Sequence, residues 1–257
     1  MNMPTRRGLG IALLGLVLYL IFLIVTVPAY WLGEGLLRLT AGRILLQHAT
    51  GSLWHGTGVL QAGAHGVTIE WNVQPAMLLM GKIRIGLRSR SDSSVRSTLT
   101  VGYRQIGLHD TEAELPAAIV AAFYPPAAFI APTGKLRFST SETEIGSQGM
   151  TGEARLSWVG AGGKLGGVGE VGDYQLTATG ENGVARLRLE TLRGDIKITG
   201  NGQWQAAGDG SVKLDGTLVP GSRDAMMAPL LPLLNARRNG DQYTFSYTGR
   251  LVLGLKR

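Results

Sequence analysis

The residues able to do chemistry are few, and they are badly placed for it. His48, His55, His65 and His109 are the only histidines, and none stands in HExxH or another metal-ligand spacing. His109-Asp110-Thr111-Glu112 is the one place where a histidine meets carboxylates. On a strand, alternate side chains point to opposite faces. His109 and Thr111 would then share one face and Asp110 and Glu112 the other, which divides the set. Cysteine is absent, and with it every thiolate ligand, thiol nucleophile and disulfide. The serines form no Gly-x-Ser-x-Gly elbow. Gly160-Ala161-Gly162-Gly163-Lys164-Leu165-Gly166-Gly167 has the glycines and lysine of a phosphate loop. It lacks that loop's spacing, the Ser/Thr after the lysine and the following helix, so it reads as a flexible turn. No catalytic, metal-binding or cofactor-binding set emerges, and the enzyme reading has nothing to rest on. Scattered aromatics without a basic platform likewise give no support to nucleic-acid binding.

Trp54, Trp71, Trp158 and Trp204 say more. Each lies in or beside a short alternating segment flanked by glycine. Such residues pack the core of a β-sheet or line an apolar groove that takes a lipid or a partner.

The elements that hold them begin with Leu9–Val27, nineteen residues without a charge, amide or proline. A helix of that length spans roughly 28 Å, close to the ~30 Å hydrocarbon core of a bilayer. Arg6 and Arg7 precede it, and the next charge is Glu34. Positive residues beside a first apolar segment favour a cytoplasmic N-terminus, and Tyr30 and Trp31 stand where interfacial aromatics sit. The alternative is a cleaved signal peptide, since Val27-Pro28-Ala29 offers small residues at suitable positions, although the apolar run is longer than the usual 7–15 residues. The expected layout is a cytoplasmic tail at 1–8, a transmembrane helix at 9–28, a juxtamembrane connector at 29–46 and a periplasmic β domain at 47–257.

Composition fits a β domain. Glycine reaches 38 residues without a Gly-X-Y period, about twice the usual share. The net charge of +7 is spread along the chain, compatible with a mildly cationic surface. From Ala49 the apolar period becomes two. Thr57–Ala62, Val67–Val73, Lys82–Arg88, Val95–Tyr103 and Gly107–Ala113 read as strands, with a brief apolar turn at Pro75–Met80. Leu115–Tyr124 has helical spacing and ends at Pro125-Pro126. Alternation resumes at Lys135–Ser139, Glu153–Trp158, Tyr174–Thr179, Ala185–Leu189, Asp195–Thr199, Gly202–Gln205 and Val212–Leu218. A second helix is expected over Arg223–Arg238 and a last strand over Gln242–Leu253. Short Gly-rich connections favour an antiparallel meander, since parallel strands need long crossovers.

The expected fold is therefore mainly β: a single transmembrane helix, then a large curled antiparallel sheet, half-barrel or groove-like, of 12–15 strands with two short helices. Its sub-sheets fall at about 47–114 and 134–253. A β-sandwich is the alternative, because a flat open sheet of this size is disfavoured by strand twist. Ile83, Ile85, Leu87, Leu136, Phe138, Leu187 and Leu189 are the candidates for an apolar concave face.

Two segments carry a resemblance. Gly51-Ser52-Leu53-Trp54-His55-Gly56 is similar to a G-[ST]-x-W-x-G element, and Trp71 through Pro75 to Gly81 to a W-x3-P-x2-L-x2-G element, of the type II secretion system protein N family. Leu115-Pro116, the series Gly152, Ala154, Leu156, Trp158, a Gly-x-Tyr strand near Gly172, Thr191-Leu192-Arg193-Gly194 and a Tyr-rich last strand follow in the same order. The resemblance implies a bitopic inner-membrane protein with a periplasmic domain. It would be an accessory part of the machine that exports folded periplasmic proteins, with other secretion subunits as partners and no catalytic residues or cofactor. The curved sheet is also similar to AsmA-like and bridge-type lipid-transfer proteins, which implies a second reading as a lipid-binding groove.

Overall fold

A period of two commits most of this chain to strands. A computed structural model describes residues 6–89, 95–164, 169–181, 183–207, 209–221, 231 and 235–251. In it the alternating segments form one antiparallel sheet of fourteen strands. The first half comprises β1 (Ile44–Gly51), β2 (His55–Ala62), β3 (His65–Gln74), β4 (Ile83–Ser89), β5 (Val95–Gly102), β6 (Gln105–Pro116) and β7 (Pro132–Gly146). The second comprises β8 (Gly149–Gly163), β9 (Gly169–Glu181), β10 (Val184–Gly194), β11 (Lys197–Trp204), β12 (Ser211–Val219), β13 (Arg237–Asn239) and β14 (Gln242–Arg250). Order in the sheet follows order in the chain, except that β14 pairs with β12 and β13 lies outside it. The stretches before and after the proline-rich break join in this one sheet through the β6–β7 pairing.

Helix α1 (Arg6–Val25) and helix α2 (Tyr30–Leu39) precede the sheet. The side chains of 6–10, 12, 20, 21 and 39 lie outside the described set, and among the described residues no helix is long and apolar enough to cross a membrane. Helix α2 forms despite Gly33 and Gly35. At Gly33 it packs on β1, where a Cβ would stand in ordinary contact, 3.4 Å from the Leu46 carbonyl. Helix α3 (Val120–Phe123) sits between 3-10 turns at Ala117–Ile119 and Pro125–Phe129.

Directly paired residues share a face of a sheet, so the register shows how each face is built. One row runs Val73–Ile85–Leu99–Leu108–Thr143–Gly152–Gly180–Ala185–Trp204–Val212, from β3 to β12. A second runs Ala113–Phe138–Leu156–Leu176–Leu189–Gly200–Gly216–Phe245. The opposite face carries Glu70–Arg88–Arg96–Glu112–Ser139–Arg155–Thr177–Arg188–Asn201–Asp215–Ser246. One side is apolar and the other charged along nearly the whole sheet. The apolar side gathers into cores around Trp71, around Leu187 and Trp204, and around Leu218 and Tyr243.

Several expectations change. Leu115 and Pro116 belong to β6, paired with Leu136 and Lys135, so the helix there shrinks to Val120–Phe123. The Gly160–Gly172 turn is largely strand: β8 runs to Gly163 and β9 begins at Gly169, while 165–168 lie outside the described residues. Asp195–Thr199 and Gly202–Gln205 merge into β11. Gly216 sits inside a strand because the Phe245 ring lies over it; a Cβ there would come within 2.5 Å of that ring. The helix expected over Arg223–Arg238 falls mostly outside the described residues, and its last two residues, Arg237 and Arg238, belong to strand β13. Strand β1 starts at Ile44, inside the expected connector.

Gly216→Val should therefore cost about 1–3 kcal/mol by overpacking, whereas Gly86→Ala, whose Cβ would meet nothing nearer than the Asn72 carbonyl at 3.8 Å, should be near neutral. Chemical denaturation of the full chain distinguishes the two.

Candidate functional site

The Gly51–Gly56 turn between β1 and β2 forms the joint between helix and sheet. The Ser52 hydroxyl accepts from the Trp54 and His55 amides (3.2 and 3.3 Å), and the Ser52 amide donates to the His55 carbonyl at 2.9 Å. A hydroxyl at this position closes the turn. Gly51 has φ +97°, and a Cβ there would stand 2.5 Å from the His55 carbonyl. A Cβ on Gly56 would run into the Trp71 ring, 2.5 Å from its Cζ2. The glycines thus let the turn close and let Trp71 press against it. Trp71 is 4% exposed, and its indole N–H donates to the Ser52 carbonyl at 3.1 Å.

The other side of the turn takes the end of α1. Trp54 Nε1 donates to the Ile24 carbonyl at 2.8 Å, one of the carbonyls that a helix C-terminus leaves without an intrahelical partner. The Leu53 amide donates to Val27 (2.8 Å) and the Ala29 amide to Gly51 (3.3 Å), with Pro28 bridged to Ser52. Ala29 is buried and joins the core around Trp71. On the far side the Val73 amide donates to the Trp54 carbonyl. Helix end, turn and β3 are locked by hydrogen bonds in series. Ile24, Val27 and Ser52 are working members of this joint that the spacing of the tryptophans alone does not reveal.

Pro75 opens the 3-10 turn that follows β3, and Gly81, at φ +67°, closes it. Gly51, Trp54, Gly56, Trp71, Pro75 and Gly81 therefore gather at one end of the sheet. Trp158 and Gly194 lie toward the other end. Trp158 donates to the Thr133 carbonyl at 2.8 Å, and Gly194 pairs with Gly172, whose Cα a Cβ on Gly194 would approach to 2.6 Å.

Ile83, Ile85, Leu87, Leu136, Phe138, Leu187 and Leu189 all stand on the apolar face by register. Leu187 is buried, Ile83 is 37% exposed, and the others fall between. The larger described recess, about 1210 Å³, opens on the charged face instead, among Glu70, Arg84, Arg88, Arg96, Glu112 and Arg155. It lies where bulges bend β6 and β7. One bulge is at Asp110, φ 43°, and it corrects the alternation expected there. Thr111 turns inward to Ser97, their hydroxyls 2.8 Å apart, while His109 pairs with Thr98 and lies 3.7 Å from Glu142. His109 and Thr111 thus occupy opposite faces. Among the described residues no group of three or more His, Asp or Glu could hold a metal.

Two carboxylates fasten strands on the charged face. Hydrogen bonds from Lys135 (2.6 Å) and Arg137 (2.7 Å) hold the Glu114 carboxyl below its ordinary range. The Gly160 amide (2.7 Å) and then Arg193 (3.0 Å) do the same for Asp173, tying down the irregular stretch of β8.

These features define a class: a one-layer, open antiparallel sheet joined rigidly to an N-terminal helix, with two chemically opposed faces. Within that class the sequence matches the family model of type II secretion system protein N over residues 42–246, and the chain belongs to that family. No curated protein and no solved structure matches it.

Trp54→Phe keeps the ring and removes the donor to Ile24. It should cost about 0.5–1.5 kcal/mol and raise hydrogen exchange at the Leu53 amide, leaving β8 and β9 unchanged. Because the folded pKa of Glu114 is lowered, its contribution is present above the ordinary value of 4.5 and is lost as pH falls through the lowered one. Glu114→Gln should flatten that acid limb of stability, read from denaturation midpoints across pH.

Proposed function

We infer that the chain is an accessory inner-membrane component of type II secretion, working by contact and not by bond-making. Family membership supplies the system. The observation that carries the mechanism is the joint: Trp54, Leu53 and Ala29 fasten the end of α1 to the first turn of the sheet. A helix so fixed can hold a broad sheet at a set place beside a membrane. The uncharged run Leu9–Val27, with Arg6 and Arg7 before it, supports α1 as a single span with a cytoplasmic N-terminus and the sheet in the periplasm. Partner subunits would meet the sheet's charged face or its edges, since unpaired strand edges accept further strands.

A lipid-binding groove is the second reading. It draws on the apolar rows, where Ile83, Leu156 and Tyr247 are 37, 38 and 47% exposed. It is the weaker one, because the larger recess lies on the charged face.

Photo-crosslinkers placed at Arg88, Arg96 and Arg155 in the native membrane should capture other secretion subunits, and deletion of the gene should lower export of folded substrates. Recovery of no secretion subunit together with unimpaired export would remove this reading.

A further inference from the structure

The turn between β3 and β4 is apolar and uncovered. Pro75–Met80 buries none of its residues; Leu79 is 93% exposed, Met80 73% and Leu78 43%. Solvent-facing apolar tips of this kind mark a contact surface. Their position points to the partner. Strand β3 runs toward the joint, and its Val73 amide is bonded to Trp54, which is bonded to Ile24 at the end of α1. The turn therefore emerges about two strand spacings, on the order of 10 Å, from the helix end, and on the same edge of the molecule. Other amphipathic groups share that edge. Tyr30 and Trp31 are 65 and 63% exposed at the start of α2. Tyr103, at the β5–β6 turn, is 89% exposed. Lys82 lies beside that turn, its Cγ 3.6 Å from where a Gly102 Cβ would be. Leucine and methionine at a tip, with tyrosine, tryptophan and lysine around them, is the mixture that suits the boundary between acyl chains and headgroups.

We propose that the Pro75–Met80 turn is a second membrane contact, with Leu79 and Met80 seated at the acyl–headgroup boundary of the bilayer that α1 enters and Lys82 against anionic headgroups. The inference rests on α1 being a span. Two contacts on one edge would also set the rotation of the sheet about the α1 axis, which the joint alone does not fix.

The absence of cysteine makes single-cysteine probes clean. Leu79→Cys, Phe129→Cys and Leu16→Cys variants of the full chain, each labelled with the NBD fluorophore, are reconstituted in phosphatidylethanolamine–phosphatidylglycerol vesicles carrying doxyl-labelled lipid. Phe129, 71% exposed, lies at the opposite end of the sheet, in the connection from β6 to β7. The Leu79 probe should emit to the blue and be quenched several-fold more by shallow doxyl lipid than the Phe129 probe, and the Leu16 probe should be quenched by deep doxyl lipid. A quenched Leu16 probe with an aqueous Leu79 probe overturns the second contact and leaves the span standing. A blue-shifted Leu79 probe that lipid does not quench overturns it in favour of a contact between copies of the chain. An aqueous Leu16 probe removes the span and the proposal with it.

Discussion

Consistent facing of side chains from strand to strand is the constraint on which this structure depends. A single sheet has no second layer to cover its apolar face, so that face must at least be continuous. A slip of one residue at any pairing would turn a strand's leucines toward solvent and its arginines inward. The row from Val73 to Val212 crosses ten strands without such a reversal. The bulges at Asp110 and between Ser139 and Thr143 use their extra residues to bend strands. Each keeps a polar side chain satisfied inside: Ser97 with Thr111, and Thr140 and Thr143 with each other and the Glu153 carbonyl.

The edges are handled differently. At one side α2 packs along β1. At the other, the short β13 is exposed at all three residues and Arg238 lies over the Tyr243 ring at 5.8 Å. A brief, cationic last strand discourages unplanned pairing.

Much of this could be read from the chain. Ile83, Ile85 and Leu87 against Arg84 and Arg88 already specify a one-sided strand. The joint was half legible: Gly51, Trp54, Gly56 and Trp71 stand out by type, but their common purpose depends on the Ile24 carbonyl, distant in sequence and chemically unmarked. The glycines misled most. Local propensity reads Gly160–Gly163 as a turn, yet partners in both β7 and β9 hold Gly162 and Gly163 as strand. Leu115-Pro116 misled in the same way. Its helical spacing yields to the pairing with Leu136 and Lys135.

The strand order has a further consequence. Apart from the final exchange of β13 and β14, every strand pairs with its immediate predecessor, and no crossover has to be threaded. Each newly delivered strand finds its partner already in place, so the sheet can grow by accretion from β1, beside α2, without waiting for the C-terminus. Mostly local pairing of this kind lowers the entropy of closing each loop. It also confines the one late, long-range closure to β12 with β14, which makes the C-terminal edge the natural last step of assembly.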